Sequence, residues 1–230
     1  MNRYVFEPAP PVSVEVSGTD ARFPVNRIFC VGRNYAAHVR EMGFDPEREA
    51  PCYFTKASCC IAASGSEIPY PPATANYHHE IELVAAVGKA GFELAADEAL
   101  SIVYGYACGL DMTRRDLQVA SRESKGPWDI GKDFENSAII SPIRPAAEIG
   151  HPSSGRIQLS VNGERRQDSN LDKLIWSVPE IVSHLSRFYR LEPGDLIYTG
   201  TPDGVGPVEP GDRITGSVAA VGEVALAIRR

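Results

Sequence analysis

Glu80 and Glu82 stand two residues apart in the stretch YHHEIELVAAVG, residues 77–88. In a β-strand alternate side chains share a face, so the two carboxylates point one way while Ile81 and Leu83 point the other. Carboxylates that close repel each other and raise each other's pKa unless a cation sits between them. A solvated strand face is the plain alternative, but the run continues as LVAAV, which suits a buried strand. A third acid, Asp111, closes another β-rich run, IVYGYACGLD, just before a helix-like segment, where it could equally serve as that helix's N-cap. Three oxygen ligands without a cysteine suit a hard divalent cation, Mg2+ or Mn2+, with water or substrate completing an octahedron. His78 and His79 invite a zinc reading. Strand alternation, however, turns His79 away from Glu80 and leaves His78 as the one imidazole on the acidic face.

A second pair lies in NYAAHVREMG, where His38 and Glu41 are three residues apart. On a helix that spacing puts them on one side and within reach. A carboxylate bonded to one ring nitrogen fixes the tautomer and leaves the other nitrogen free as a base. An ordinary surface His–Glu pair has the same spacing.

These groups need elements to hold them. From RIFCVGRNYAAHVREMG the pattern gives a short apolar strand, a glycine turn and a helix-like segment ending at Gly43. Short β-rich runs then recur between Pro/Gly turns: CYFTKAS, EIELVAAVG, IVYGYACGLDM, IQLSVNG, DLIYTG and RITGSVAAVGEVALAI. VNGE reads as a hairpin, because Asn-Gly suits a type I′ turn. Helices are expected around His38, over TRRDLQVASRES, and over SVPEIVSHLSRFY with Ser177 as cap and Pro179 in the first turn. Strands dominate without alternating regularly with helices, which disfavours a doubly wound sheet and favours an α+β or rolled β architecture. No phosphate-binding glycine loop and no G-x-S-x-G elbow is present.

The 230 residues, 43% hydrophobic and 23% charged, fit one large soluble domain. A net charge of -7 argues against a nucleic-acid partner. The start lacks the apolar core of a signal peptide, and no run is long enough to span a bilayer, so no membrane is expected. Five cysteines without a C-x-x-C suggest neither a disulfide framework nor a zinc ribbon and fit a reducing cytoplasm.

Six blocks in order, VGRNYAAHVREMG, HHEIEL, GYACGLDMTRRDLQ, GPWDIGKDFENS, VNGERRQ and LEPGDLIYTGTPDGVGPVEPGD, resemble the fumarylacetoacetate hydrolase family over roughly residues 25–215. The resemblance implies an α+β, mostly β fold: a mixed β-roll with few helices, forming a homodimer and holding a divalent metal. Residues 1–24 would be an N-terminal extension and 25–230 the catalytic domain. Carried over by motif, the metal ligands fall on Glu80, Glu82 and Asp111, and a lid-borne His–Glu pair on His38 and Glu41. Substrate-side residues fall on Arg115, Gln118, Lys132 and Thr201. The implied reaction is hydrolysis of a carbon–carbon bond in a small dicarboxylate acylpyruvate, fumarylpyruvate giving fumarate and pyruvate, as in aromatic catabolism. His38 would activate water, Lys132 and Gln118 would support the developing negative charge, and Thr201 the pyruvate carboxylate. For the distal carboxylate Arg33, Arg114, Arg115 and Arg122 are candidates. Relatives that hydrolyse acetylpyruvate, decarboxylate oxaloacetate, or isomerise and decarboxylate dienoic diacids share the same ligands, and a non-catalytic binding module is the alternative from another class. Ala57 stands where many relatives carry proline after a lysine, which leaves Lys56 without an assigned role.

Overall fold

The computed structural model describes residues 3–43 and 49–230; the first two residues of the N-terminal extension lie outside them. A mixed eight-stranded sheet runs in the order Cys52–Lys56, Ile28–Gly32, Leu196–Tyr198, Ile81–Val87, Val103–Asp111, Ala138–Ile140 and Ile61–Ala63, with Arg144–Pro145 paired beside Val103–Asp111. The pairs of Leu196–Tyr198 with Ile28–Gly32 and of Ala138–Ile140 with Ile61–Ala63 are parallel. Every residue of Ile81–Val87 is buried, because the sheet is covered on both faces. A strand buried on both faces reads as an unbroken apolar run.

On one face Val31, Leu83 and Leu110 pack with Ile181 of the helix Val178–Ser186 and with Leu159 and Leu226. The last two belong to a second sheet ordered Glu164–Asn170, Arg156–Val161, Arg213–Val218, Gly222–Ile228 and Ser66–Ile68. On the other face Cys30, Val84, Ala107 and Tyr198 cluster with Val14 and Phe23 from the hairpin Ser13–Glu15/Arg22–Pro24, so this hairpin packs against the central sheet. The turn in VNGE has positive φ at both Asn162 (53°) and Gly163 (84°), as a type I′ hairpin requires.

Helices form where caps and patterning place them, somewhat shorter than the sequence suggests: Ala36–Glu41, Arg115–Glu123 and Val178–Ser186. The last opens on a capping box between Ser177 and Glu180, with proline in its first turn. No helix among the described residues is long and apolar enough to cross a membrane.

Asp195, at the foot of Leu196–Tyr198, is fully buried and ties the residues entering Ile28–Gly32 to the neighbouring strand. It accepts from Arg27 at 3.0 and 2.6 Å, from Asn26 at 2.9 Å and from the Glu192 N–H at 2.9 Å. Asp195→Ala is expected to cost about 2–3 kcal/mol in urea unfolding, the scale of lost hydrogen bonds to a charge; Arg27 is partly exposed and regains water, which keeps the loss below that of breaking a fully buried pair. A loss under about 0.5 kcal/mol, the level of an ordinary surface substitution, would mean the cluster contributes nothing.

Candidate active site

The strand register sets the geometry. Ile81 pairs with Leu110 and Glu82 with Gly109, and Asp111 N–H donates to the Glu80 carbonyl at 2.9 Å. Glu80 and Asp111 are therefore cross-strand neighbours, and Glu82 stands one pleat on, all on the face that carries Val84 and Ala107. A three-stranded patch, Thr113–Arg114, Tyr77–His79 and Gly206–Pro207, fixes the segments before Glu80, after Asp111 and after Thr201 to one another.

Three buried cations meet these acids. Lys132 Nζ lies 2.7 Å from Glu80 Oε2, 2.6 Å from Asp111 Oδ2 and 2.7 Å from Thr113 Oγ1. Its short helix, Asp129–Lys132, reaches so far in because Gly131 has no side chain: a Cβ there would come 2.8 Å from Gln118 N. Burial pulls the Lys132 pKa down, but Asp111 and Glu80 outweigh it and raise the net value, so the ammonium stays charged. Arg115 donates to Glu80 and to the Gln118 carbonyl oxygen. Burial raises the Glu80 carboxyl, and Lys132 and Arg115 together overcome this and hold it well below the usual carboxylate range. Lys56, left without a role by sequence, brings Nζ to 2.9 Å from Asp111 Oδ1 and donates to Ser137 Oγ at 3.0 Å. Its approach to Asp111 is a charge contact without hydrogen-bond alignment, so Oδ1 has no hydrogen-bond partner.

Glu82 differs. It accepts the Gly200 N–H at 2.7 Å, but burial and the charges of Asp111 and Glu80 push its carboxyl well up. A buried carboxylate in that position calls for a cation. Glu80, Glu82 and Asp111 each offer an oxygen within 4.8 Å of the others, and this is the close group of potential ligands among the described residues. An all-oxygen set with an orphaned buried Oδ1 and one uncompensated carboxylate fits a hard divalent ion. Zinc with histidine does not fit: His78 Nε2 bonds Asn76 at 2.8 Å and His79 Nδ1 bonds Gln167 at 3.2 Å. Nor is Asp111 a helix cap, since the following helix starts at Arg115 with no side-chain cap.

His38 and Glu41 meet on the helix Ala36–Glu41, Nδ1 to Oε2 at 3.2 Å. Partial burial raises the Glu41 carboxyl, but the His38 hydrogen bond and the Gly204 N–H, at 3.0 and 3.2 Å, bring it below its ordinary value. An ionised carboxylate only accepts, so Nδ1 carries a proton toward Glu41, and in the neutral ring the lone pair is then on Nε2. Asn34 anchors the chain entering this helix, donating to Trp176 O at 2.9 Å and Thr199 O at 2.8 Å.

His38, the three acids, Lys132, Gln118 and Thr201 all line one cleft that is partly open to solvent. Arg33, Arg115 and Arg122 also line it. Arg114 turns elsewhere, its guanidinium 4.1 Å over the Phe134 ring. Arg33 and Arg122 are shared with an adjoining open groove, so they stand where the cleft meets it. Arg33 has φ 60°, an unusual backbone for a side chain of this size and of the kind found at binding sites, and lies 5.9 Å from the Trp128 ring. Thr113, Asn34 and Lys56 carry no signal in the sequence, for their contacts with Lys132, with Trp176 and Thr199, and with Asp111 join residues far apart in the chain.

The family model for the fumarylacetoacetate (FAA) hydrolase C-terminal domain matches residues 27–229. A fumarylpyruvate hydrolase of Ralstonia sp is 50% identical over 184 residues, covering 80% of this chain and 95% of that protein. A mitochondrial oxaloacetate tautomerase of Mus musculus is 41% identical over 203 residues, covering 88% of this chain and 91% of its own. The crystal structure of fumarylpyruvate hydrolase from Pseudomonas aeruginosa, in complex with Mn2+ and pyruvate, superposes with a TM-score of 0.96 at 54% identity, covering 99% of both chains.

Proposed function

Because the chain belongs to the fumarylacetoacetate hydrolase family, we propose that it hydrolyses fumarylpyruvate to fumarate and pyruvate, a carbon–carbon bond cleavage dependent on a divalent metal. The observation that carries the reading is the cluster of three buried carboxylates in one cleft with His38, whose ring is bonded to Glu41. An ion held by Glu80, Glu82 and Asp111 would supply Lewis acidity to the keto and carboxylate oxygens of the pyruvate half.

The protein's own groups do the rest. His38 Nε2, its ring oriented by Glu41, takes a proton from the water that attacks the acyl carbon. Lys132 and Gln118 support the oxyanion and then the enolate as the bond to pyruvate breaks. The hydroxyl ends in fumarate, and the proton ends on C3 of pyruvate. Thr201 holds the pyruvate carboxylate. Arg33 and Arg122 at the mouth suit the distal carboxylate, for guanidinium groups bind a planar carboxylate in bidentate fashion. Either Mg2+ or Mn2+ suits the donor set; five unpaired cysteines suit a cytoplasmic setting, and exposed Phe92, Phe188 and Tyr189 suit a homodimer.

The test is disappearance of the enol-diketone absorbance of fumarylpyruvate, with fumarate and pyruvate as products, in chelator and after adding Mn2+ or Mg2+. Metal-dependent turnover well above that of acetylpyruvate is expected, because acetylpyruvate offers nothing to Arg33 and Arg122. No cleavage of fumarylpyruvate, with metal-dependent conversion of oxaloacetate instead, would move the chemistry to that of the more distant tautomerase relative. The His38–Glu41 pair favours hydrolysis over decarboxylation, which needs no attacking water, while the product assay separates hydrolysis from tautomerisation.

A further inference from the structure

Gln167 is fully buried, the one inward residue of the strand Glu164–Asn170. A bulge puts it there. Leu159 pairs with Gln167 and Ser160 with Arg165, so Arg166 is the extra residue, and the kink aims the Gln167 amide at the segment carrying Glu80 and Glu82. The loop after Thr201 lies directly on this bulge, since a Cβ at Gly204 would come 2.0 Å from the Arg166 carbonyl oxygen.

Gln167 Oε1 accepts the Ile81 N–H at 3.1 Å and lies 3.2 Å from His79 Nδ1. Its Nε2 lies 2.9 Å from Thr201 Oγ1 and 2.8 Å from the Pro202 carbonyl. These partners fix which end of the amide is which: the Ile81 N–H can only donate, and the Pro202 carbonyl can only accept. Nε2 therefore donates to Thr201 Oγ1. The hydroxyl acts as acceptor toward Gln167, and its single proton must leave in another direction. Thr201 lines the cleft, and among the described residues no protein group accepts that proton.

We infer that Gln167 is a positioning residue that makes the Thr201 hydroxyl a donor aimed at an anionic oxygen in the cleft, the carboxylate of the pyruvate half. The inference rests on the proposed contact between Thr201 and that carboxylate. It accounts for a buried, fully satisfied amide that touches no cleft space itself yet joins the metal-side strand to the substrate loop.

The experiment measures pyruvate affinity of the Mn2+-loaded protein, with KM and kcat for fumarylpyruvate, in Gln167→Met, Gln167→Glu, Thr201→Val and the double variant Gln167→Met/Thr201→Val; melting curves check folding. A hydrogen bond to a charged group suggests a loss of about ten- to hundredfold in pyruvate affinity and a matching rise in KM for Thr201→Val and Gln167→Met. The double variant is expected to lose no more than about threefold beyond the worse single, because both changes remove the same bond. Gln167→Glu should lose at least as much as Gln167→Met, since a carboxylate draws the Thr201 proton toward itself. Near-normal pyruvate affinity in a folded Gln167 variant, with Thr201→Val impaired, would overturn the role of Gln167 alone, as would full additivity in the double variant. Normal affinity in Thr201→Val would overturn the Thr201 contact and the inference with it.

Discussion

Glu82→Gln is expected to remove metal-dependent hydrolysis while leaving the metal-free protein as stable as before or more so. The activity loss should be on the order of 10³-fold or more, since a Lewis-acid metal contributes several kcal/mol of transition-state stabilisation. The stability effect has the opposite sign because the Glu82 carboxyl is buried beside Asp111 and Glu80 and pushed well above its ordinary value. Without a metal, the folded chain binds that proton more tightly than the unfolded chain. Stability of the metal-free protein therefore falls as pH rises above the ordinary carboxylate value of 4.5. Glu80, held low by Lys132 and Arg115, contributes with the other sign, but only below that value. Glutamine keeps the acceptor for the Gly200 N–H and removes the charge. Two thermal-unfolding series check this, one in chelator and one in excess Mn2+. Wild type should gain stability with metal, about 2.7 kcal/mol at a hundredfold excess over Kd, and the variant should gain none. A variant that still gains stability with Mn2+, or that melts well below wild type in chelator, would contradict the role given to Glu82. Glu82 would then give up stability for function, a charge that opposes folding until a cation is bound beside it.

Much of this site follows from strand alternation. The E-x-E spacing puts Glu80 and Glu82 on one face, and the apolar run after them signals a strand covered on both sides. The Asn-Gly turn and the capping box at Ser177 are equally local, and both form as expected. Other features depend on distance along the chain. Asp111 reaches Glu80 through the antiparallel register of two strands, while sequence alone leaves it a helix cap as readily as a ligand. Lys132 reaches the acids on a one-turn helix whose approach depends on Gly131, and only a family motif pointed to it. Lys56 has no role from its neighbours, since Ala57 does not govern where the Lys56 amine goes; its contact with Asp111 joins residues far apart in the chain and on strands that do not pair with each other. Gln167 was visible only as the last letter of a motif, because a bulge leaves no clear local signature.

His38→Ala is expected to separate water activation from metal binding. The acids and His38 sit on different elements: His38 on the helix Ala36–Glu41, Glu82 and Asp111 on strands of the central sheet, and Glu80 just before the first of these. Removing the imidazole should therefore leave the Mn2+-induced rise in melting temperature intact while kcat for fumarylpyruvate falls by about 10²–10⁴, the usual contribution of a general base. Glu41→Gln should lose less rate, because an amide oxygen can still accept from Nδ1 and from the Gly204 N–H, but cannot stabilise the imidazolium by charge. The pH profile distinguishes the two partners. The Glu41 carboxyl sits below its ordinary value of 4.5, so its orienting bond is present above that pH and is lost only as pH falls through the lowered value. Any acid-side loss of activity above pH 4.5 must therefore arise from a group other than Glu41. Near-normal kcat in His38→Ala would rule out His38 as the base, and loss of the Mn2+ response in the same variant would mean that the helix and the carboxylate cluster are not independent.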